Sequence, residues 1–452
     1  MMAEAIQFGP PVTVDAAWML TCVLAMALFV DLRRDVTRLL SARNVVLLGI
    51  FAWFLLEPLQ LPDALQGYGR AANDFGLMLV GLALWSFLYG YGVSRNRIFE
   101  PIGVRLEQLD DRNRLWRVLV LAAWVGFLPV IIYGGTDLVA LGQGILGMRR
   151  TWGGPLGRGT LGDFRAAFLI LETCAWGVSW LAILFFADRR NPPGARFFAL
   201  FIVAWSMVRA YGSGTRSTLL VAIAVPCAAI FWLAPPRRRT RLVLLAPVFG
   251  IAFYLLSTAM VSGRGLGHLA LNDWPSYIGH EMFRELLFIV DQVPTVHEYK
   301  LGETYWVQLL NPIPRFLWPD KPMGFGVEFS AWHGYDALAG GPNMAPGLIG
   351  EMYVNFGILG VVVCSFFGGG LCRAWDRLRE RFAHSVPVLM FYTGGLTTLF
   401  LLGRSVSMSI FYPLIGLYLT VSVVLRYTRG PARSRSSRGA IPDVPYVAPT
   451  GR

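Results

Sequence analysis

The chain has 452 residues, 55% of them hydrophobic and only 15% charged, and its mean hydropathy is +0.52. Soluble domains carry about a quarter of charged residues, and the apolar residues here fall in blocks of about 17–25, the length that crosses a ~30 Å hydrocarbon core; a soluble multidomain enzyme is therefore excluded. The net charge of +12 is explained by arginines in cytoplasmic loops and does not call for nucleic acid.

Membrane helices are expected near 14–31, 43–60, 75–94, 117–133, 166–187, 197–213, 217–234, 242–261, 346–371, 386–402 and 407–425. Eleven spans define an all-α polytopic integral membrane protein. The first block runs into "DLRRDVTR" and not into a small-residue cleavage site, so no cleavable signal peptide is expected. The segments "LRRDVTRLLSAR", "RNRIFEPIGVRLEQLDDRNRLWR", "RRNPPGAR", "PPRRRTR" and "CRAWDRLRERF" alternate along the chain and belong together on the cytoplasmic side. The tail 426–452, rich in Arg, Ser, Pro and Gly, reads as disordered and cytoplasmic.

The chain thus divides into N-terminal membrane helices (1–261), a large extracytoplasmic loop (262–345), C-terminal membrane helices (346–425) and the tail. A loop of that length exceeds what a connector needs and points to function. Within it, "PSYIGHEMFRELLFIVDQ" has helical spacing of apolar residues, suited to the membrane surface or to folding back into the bundle. "NPIPRFLWPDKP", residues 311–322, carries four prolines, which forbid a regular helix or a central strand.

The informative charges are cations on the outer side, where the positive-inside bias expects few. They are Arg149, Arg150, Arg158, Arg165, Arg209, Arg216, Arg264, Arg284, Lys300, Arg315, Lys321 and Arg404, several set between glycines or prolines at helix mouths. Carboxylates that would obviously pair with them are scarce on that side, so a ligand anion is a candidate partner, and the arginine fork suits phosphate oxygens. Plainer readings stand beside this one. Arg216 snorkels to the interface, Arg404 pairs with a buried glutamate, Arg315 and Lys321 pin a loop to lipid phosphate, Trp318 belongs to an interfacial belt, and His280 lies on a helix surface.

The five cysteines, Cys22, Cys174, Cys227, Cys364 and Cys372, lie in or beside apolar blocks without a CxxC spacing. Neither a disulfide framework nor a zinc site is expected. The chain has no HExxH and no Walker A motif, and the histidines are widely spaced. Metal chemistry, a bound cofactor and ATP-driven transport have no sequence support.

"GTRSTLL" opening a helix, "IPRFLWPDKP", "APGLIGEMYVNFGILG" re-entering the membrane and an arginine before the final helix follow in that order over 205–425. This set resembles the Wzy-type polymerases of O-antigen and related oligosaccharide repeat units, with the proline knot most similar to the enterobacterial common antigen polymerase group. The resemblance implies a GT-C-like membrane glycosyltransferase of the bacterial inner membrane. It would use undecaprenyl-pyrophosphate-linked glycans at the periplasmic face, with neither nucleotide sugar nor metal. Flippase and chain-length regulator proteins are the implied partners, besides lipid-linked substrate and membrane lipid.

In that reading Arg216, Arg315, Lys321 and Arg404 converge on the pyrophosphate. Trp318, Trp332 and Tyr335 stack on sugar faces or line the cavity, and Glu281 or His280, with Glu351 as a further candidate, takes the proton of the incoming hydroxyl. Arg149, Arg150, Arg284 and Tyr353 complete the substrate-binding set. Two alternatives remain open: an O-antigen ligase, with the same donor and a different acceptor, and a secondary transporter or flippase, for which inverted repeats and matching broken helices are expected but not evident.

Overall fold

The computed structural model describes residues 15–60, 65, 67–134, 165–212, 216–235, 237–243, 245, 248, 251, 282–311, 313, 317–335 and 344–428. Within them, the side chains of 127–134, 165–170, 208–212, 216–219, 226, 229, 233 and 408–409 are not described. The described residues form helices and turns and no strand. Four helices are long and apolar enough to cross a membrane: α1 (Asp15–Arg34), α2 (Ala42–Gln60), α3 (Gly69–Val93) and α12 (Leu348–Arg381). Between α3 and α12 come α4 (Glu100–Glu107), α5 (Arg112–Gly134), α6 (Arg165–Ala187), α7 (Pro193–Gly212), α8 (Arg216–Leu233), α9 (Met282–Gln292), α10 (Glu303–Leu310) and α11 (Phe325–Trp332). The described chain ends with α13 (Val386–Leu402) and α14 (Tyr412–Tyr427).

Local sequence sets the helix ends. Asp15 opens α1 and Arg33 and Arg34 close it, each sign matched to its end of the helix dipole. Ser41 caps α2 by accepting the Asn44 N–H at 3.2 Å. Within α2 one turn, Phe51–Leu55, is π-helical and leads directly into Glu57 and Pro58. Pro387 sits in the first turn of α13, where its missing N–H costs nothing.

Helices in lipid gain little from hydrophobic burial against each other, so close association needs small residues. The α3–α12 contact shows this at two points. A Cβ placed on Gly90 would fall 2.0 Å from the Phe366 carbonyl oxygen, and one on Gly369 would fall 2.0 Å from that of Phe87. Gly177 of α6 meets the Pro413 carbonyl of α14 in the same way, at 2.1 Å.

Four of the arginine-rich segments meet at one end of the bundle. Arg379 donates to the Thr37 carbonyl at 2.6 Å, and Arg377 to those of Asn96 and Ser94 at 2.6 and 3.0 Å. Arg381 pairs with Glu100, His384 lies 2.6 Å from Glu107, and Arg112 reaches the Arg190 carbonyl at 3.3 Å. Behind them the buried carboxylate of Asp376 accepts from Ala42 N and Tyr91 Oη, both at 2.7 Å, and from Tyr392 Oη. One acid thereby joins α2, α3, α12 and α13.

At the opposite end lie α9, α10 and α11, all from the long loop. Of the two fates open to "PSYIGHEMFRELLFIVDQ", the described part takes the second. α9 buries Met282, Phe283, Leu286, Leu287 and Ile289, packing against α12, α3 and the π turn of α2. Gly76 and Gly350 leave room for it, since a Cβ on either would strike Leu287 at 2.6 Å or Ile289 at 2.7 Å. The described residues of the proline knot, 311, 313 and 317–322, form turns and irregular backbone.

Candidate functional site

The site is organised around the first turns of α12, the segment "APGLIGEMYVNFG". The N–H groups that open a helix have no intrahelical partners. Here Gly347 N–H donates to the Arg404 carbonyl at 2.9 Å and Leu348 N–H to that of Gly403 at 3.0 Å. The bond is returned by Glu351, fully buried, whose carboxylate accepts the Val406 N–H at 2.9 Å. Gly403 is required because Trp53 lies against it: a Cβ would fall 2.4 Å from Trp53 Cδ1. Trp53 in turn donates to the Phe400 carbonyl at 3.1 Å.

Two turns on, α12 breaks. Phe356 has φ −141° and ψ 17°, and Gly357 has φ +63° and ψ −149°, a conformation essentially reserved for glycine. A break inside a membrane helix must be satisfied by other groups, and the long loop supplies them. Lys300 N–H donates to the Val354 carbonyl at 2.9 Å and Leu301 N–H to that of Asn355 at 3.0 Å. Asn355 clamps the junction: its Oδ1 accepts the Gly302 N–H at 2.9 Å, and its Nδ2 donates to Thr304 Oγ1 and the Glu351 carbonyl, both at 2.7 Å.

A second group of buried charges lies where α2 meets α9. Glu57 is fully buried, accepts the Arg284 N–H at 3.1 Å and has the Arg284 Nε at 3.4 Å. Glu285, next in sequence, is buried with the His333 Nε2 at 2.8 Å, and the His333 ring stacks on Phe288 at 4.0 Å. Tyr68 shares this surrounding: burial first, then the Glu285 carboxylate, push its phenol above the usual range, so it stays neutral.

These contacts change the meaning of several outer-side cations. Arg284 has a protein carboxylate, Glu57, and Lys300 has two, Glu328 at 2.6 Å and Glu303 at 3.8 Å. For those two a ligand anion is not needed. Lys321 directs its ammonium to the knot's own carbonyls, Ile313 at 2.8 Å and Asn311 at 3.1 Å. It bends the proline segment upon itself and is in this arrangement a structural cation. Arg404 is exposed at the rim of the α12 opening.

Of the aromatic candidates, Trp332 is stacked on His297 at 4.0 Å and edge-on to Phe325 at 5.4 Å. Tyr353 is buried between Phe75 and Tyr299, with ring centroids 6.1 and 6.2 Å away. Trp318 and Tyr335 are exposed. The structure thus brings Glu351 and Arg404 to one junction at the start of α12, with Tyr353 on the same helix against Phe75 and Arg284 on the neighbouring α9. Arg149, Arg150, His280, Glu281 and Arg315 lie outside the described residues, as do residues 336–343. Arg216 begins α8, and its side chain is not among those described.

Reading the sequence missed Glu57, Glu285, His333 and Asn355. Glu57 had a visible signal, an acid inside the apolar run "FLLEPLQ", which in a membrane helix marks a paired or functional group. Asn355 had a weaker one, an amide in "YVNFG" beside a glycine.

Fold and site together define an all-α membrane-embedded protein with a helical cap at one end, stitched into a broken span. Compared with known proteins, the chain matches no family model, no curated protein and no solved structure.

Proposed function

We propose that this chain is a polymerase of lipid-pyrophosphate-linked oligosaccharide repeat units, with eleven spans, a GT-C-like architecture and its site on the periplasmic face of the bacterial inner membrane. The observation that carries the reading is the ordered set "GTRSTLL", "IPRFLWPDKP", "APGLIGEMYVNFGILG" and Arg404. Its support in three dimensions is that the third and fourth of these meet at the start of α12, and that the helix preceding the second is tied to the same span. The Arg404 segment bonds to the first turn of α12, and α10, which leads into the proline knot, is tied to Asn355 through Thr304.

In this reaction an oxygen of the incoming unit bonds to the anomeric carbon of the growing chain. The bond from that carbon to the pyrophosphate breaks, its electron pair leaves on the phosphate, and the hydroxyl proton passes to a base. Arg404, with Arg216 and Arg315, stabilises the charge developing on the leaving group. Lys321 contributes by holding the knot. Glu351, Glu281 and His280 are the candidate proton acceptors. No cofactor or metal has a part. Lipid-linked glycan is the substrate, and flippase and chain-length regulator proteins are the expected partners.

The test is purified protein in lipid vesicles with lipid-linked repeat unit, chelator present and nucleotide absent. Polymer supports the reading. A requirement for nucleotide sugar or divalent metal overturns it.

A further inference from the structure

The outer face of α10 and the chain just before and after it carry large exposed apolar side chains. Leu301 is 76% exposed, Trp306 and Leu309 60% each, and Leu317 68%. Thr304 and Val307 take the inward face of α10, so Trp306 and Leu309 occupy the opposite face, where a water-exposed helix would carry polar groups. An exposed apolar face of this kind marks an interaction site.

What covers it follows from its neighbour. Beyond the break, α12 exposes Leu359 at 69%, Val363 at 40%, Phe367 at 63% and Leu371 at 47%. Four-residue spacing puts these on one stripe, the side of a membrane helix that meets lipid tails. The stripe does not stop at the break. Phe356, also exposed, lies against Gly302, where a Cβ would come within 3.1 Å of the Phe356 Cζ. Gly302 joins Leu301 to α10, and the hydrogen bonds of Lys300 and Leu301 to the Val354 and Asn355 carbonyls fix that joint. One apolar surface therefore runs from the lipid-facing side of α12 onto the loop, and it carries a tryptophan where the membrane interface favours one.

We propose that Leu301, Trp306, Leu309 and Leu317 form a membrane-docking face that sinks into the lipid leaflet at this end of the bundle. α10, with Leu301 and Leu317 on either side of it, then rides on the membrane surface and does not stand off in water. The inference rests on α12 crossing the bilayer and is independent of the reaction proposed above.

The test places a benzophenone amino acid at Trp306 or at Leu309 in the full chain, in native membranes. Leu359 serves as the lipid-facing reference and exposed Asp320 as the loop reference. Irradiation followed by mass analysis should give phospholipid adducts at 306 and 309 comparable to those at 359 and well above those at 320. Adducts to another protein, or none at either position while 359 labels lipid, overturn the docking face. Absence of lipid adducts at 359 overturns the membrane placement of α12 on which it rests. Because both probes replace exposed side chains at separate positions, a variant that fails to accumulate leaves the other as the readout.

Discussion

The buried carboxylate of Glu351 accepts the backbone N–H of Val406 at 2.9 Å, across 55 residues of sequence. It completes an exchange in which the start of α12 gives two N–H groups to the Gly403 and Arg404 carbonyls and receives one back. The position of Arg404 is therefore fixed by main chain and by one acid.

Glu351→Ala should loosen that junction. It orphans the Val406 N–H, at about 1–3 kcal/mol for a buried donor. Thermal unfolding in detergent should fall clearly, whereas Glu351→Gln, whose amide oxygen can still accept, should recover most of the loss. Equal melting of the alanine variant and the parent would contradict a structural role for this bond.

Gly357→Ala should be costly and Gly368→Ala should not. Gly357 has φ +63°, and a Cβ there would approach the Tyr299 Oη at 3.2 Å, so the strain is of order 1–3 kcal/mol. Gly368 lies in the same helix with nothing within 4 Å of an added Cβ, and alanine there favours the helix by roughly 0.5–1 kcal/mol. Melting temperatures of the pair should move in opposite directions.

Much of this architecture is legible in the amino-acid order, since a 17–25-residue apolar block has few alternatives to a helix in lipid. The four arginine segments that meet at one end are among the five that the charge alternation groups together. The end of α12 is less legible. The expected span stops near 371, but the helix continues to Arg381 because its charged turns still pack and bury Asp376. What no local pattern reveals is pairing at a distance. Glu57 and Arg284 are 227 residues apart, and an outer-side arginine cannot be told from a ligand-seeking one until its acid is located. The break at Phe356–Gly357 is likewise opaque, because its hydrogen-bond partners come from the distant loop.

Arg284→Ala should destabilise more than the double replacement Glu57→Gln with Arg284→Ala. Removing one member of a buried pair leaves an uncompensated charge, at about 3–5 kcal/mol, while removing both charges avoids that term. The protein recovered after extraction and its melting temperature give the comparison. Additive losses in the double variant would show that the pair is not coupled.

Asp376→Ala should impair assembly and not chemistry. It strips the acceptor from Ala42 N–H, Tyr91 and Tyr392 at once, each buried donor costing about 1–3 kcal/mol. Asp376→Asn keeps one accepting oxygen and should be intermediate. The readout is membrane accumulation and unfolding temperature, and any surviving protein should retain its activity per folded molecule.

Arg404→Ala should show the reverse pattern. The Arg404 carbonyl, not its guanidinium, holds the Gly347 N–H, so that main-chain bond survives the loss of the side chain, and turnover should fall by more than the change in stability accounts for. If the guanidinium stabilises the leaving pyrophosphate, its removal forfeits a charge-assisted contact of about 1.5–3 kcal/mol, on the order of 10- to 100-fold in turnover. Lys at this position retains charge without the planar fork and should recover only part of the rate. Lys321→Ala provides the contrast. Its ammonium holds the Asn311 and Ile313 carbonyls, so its loss should disorder the knot, lower activity and stability together, and leave the Arg404→Ala defect unchanged in kind. The assay is polymer length and rate from lipid-linked repeat units in vesicles, beside thermal unfolding of the same preparations. Parental turnover in Arg404→Ala would remove the arginine from the proposed site.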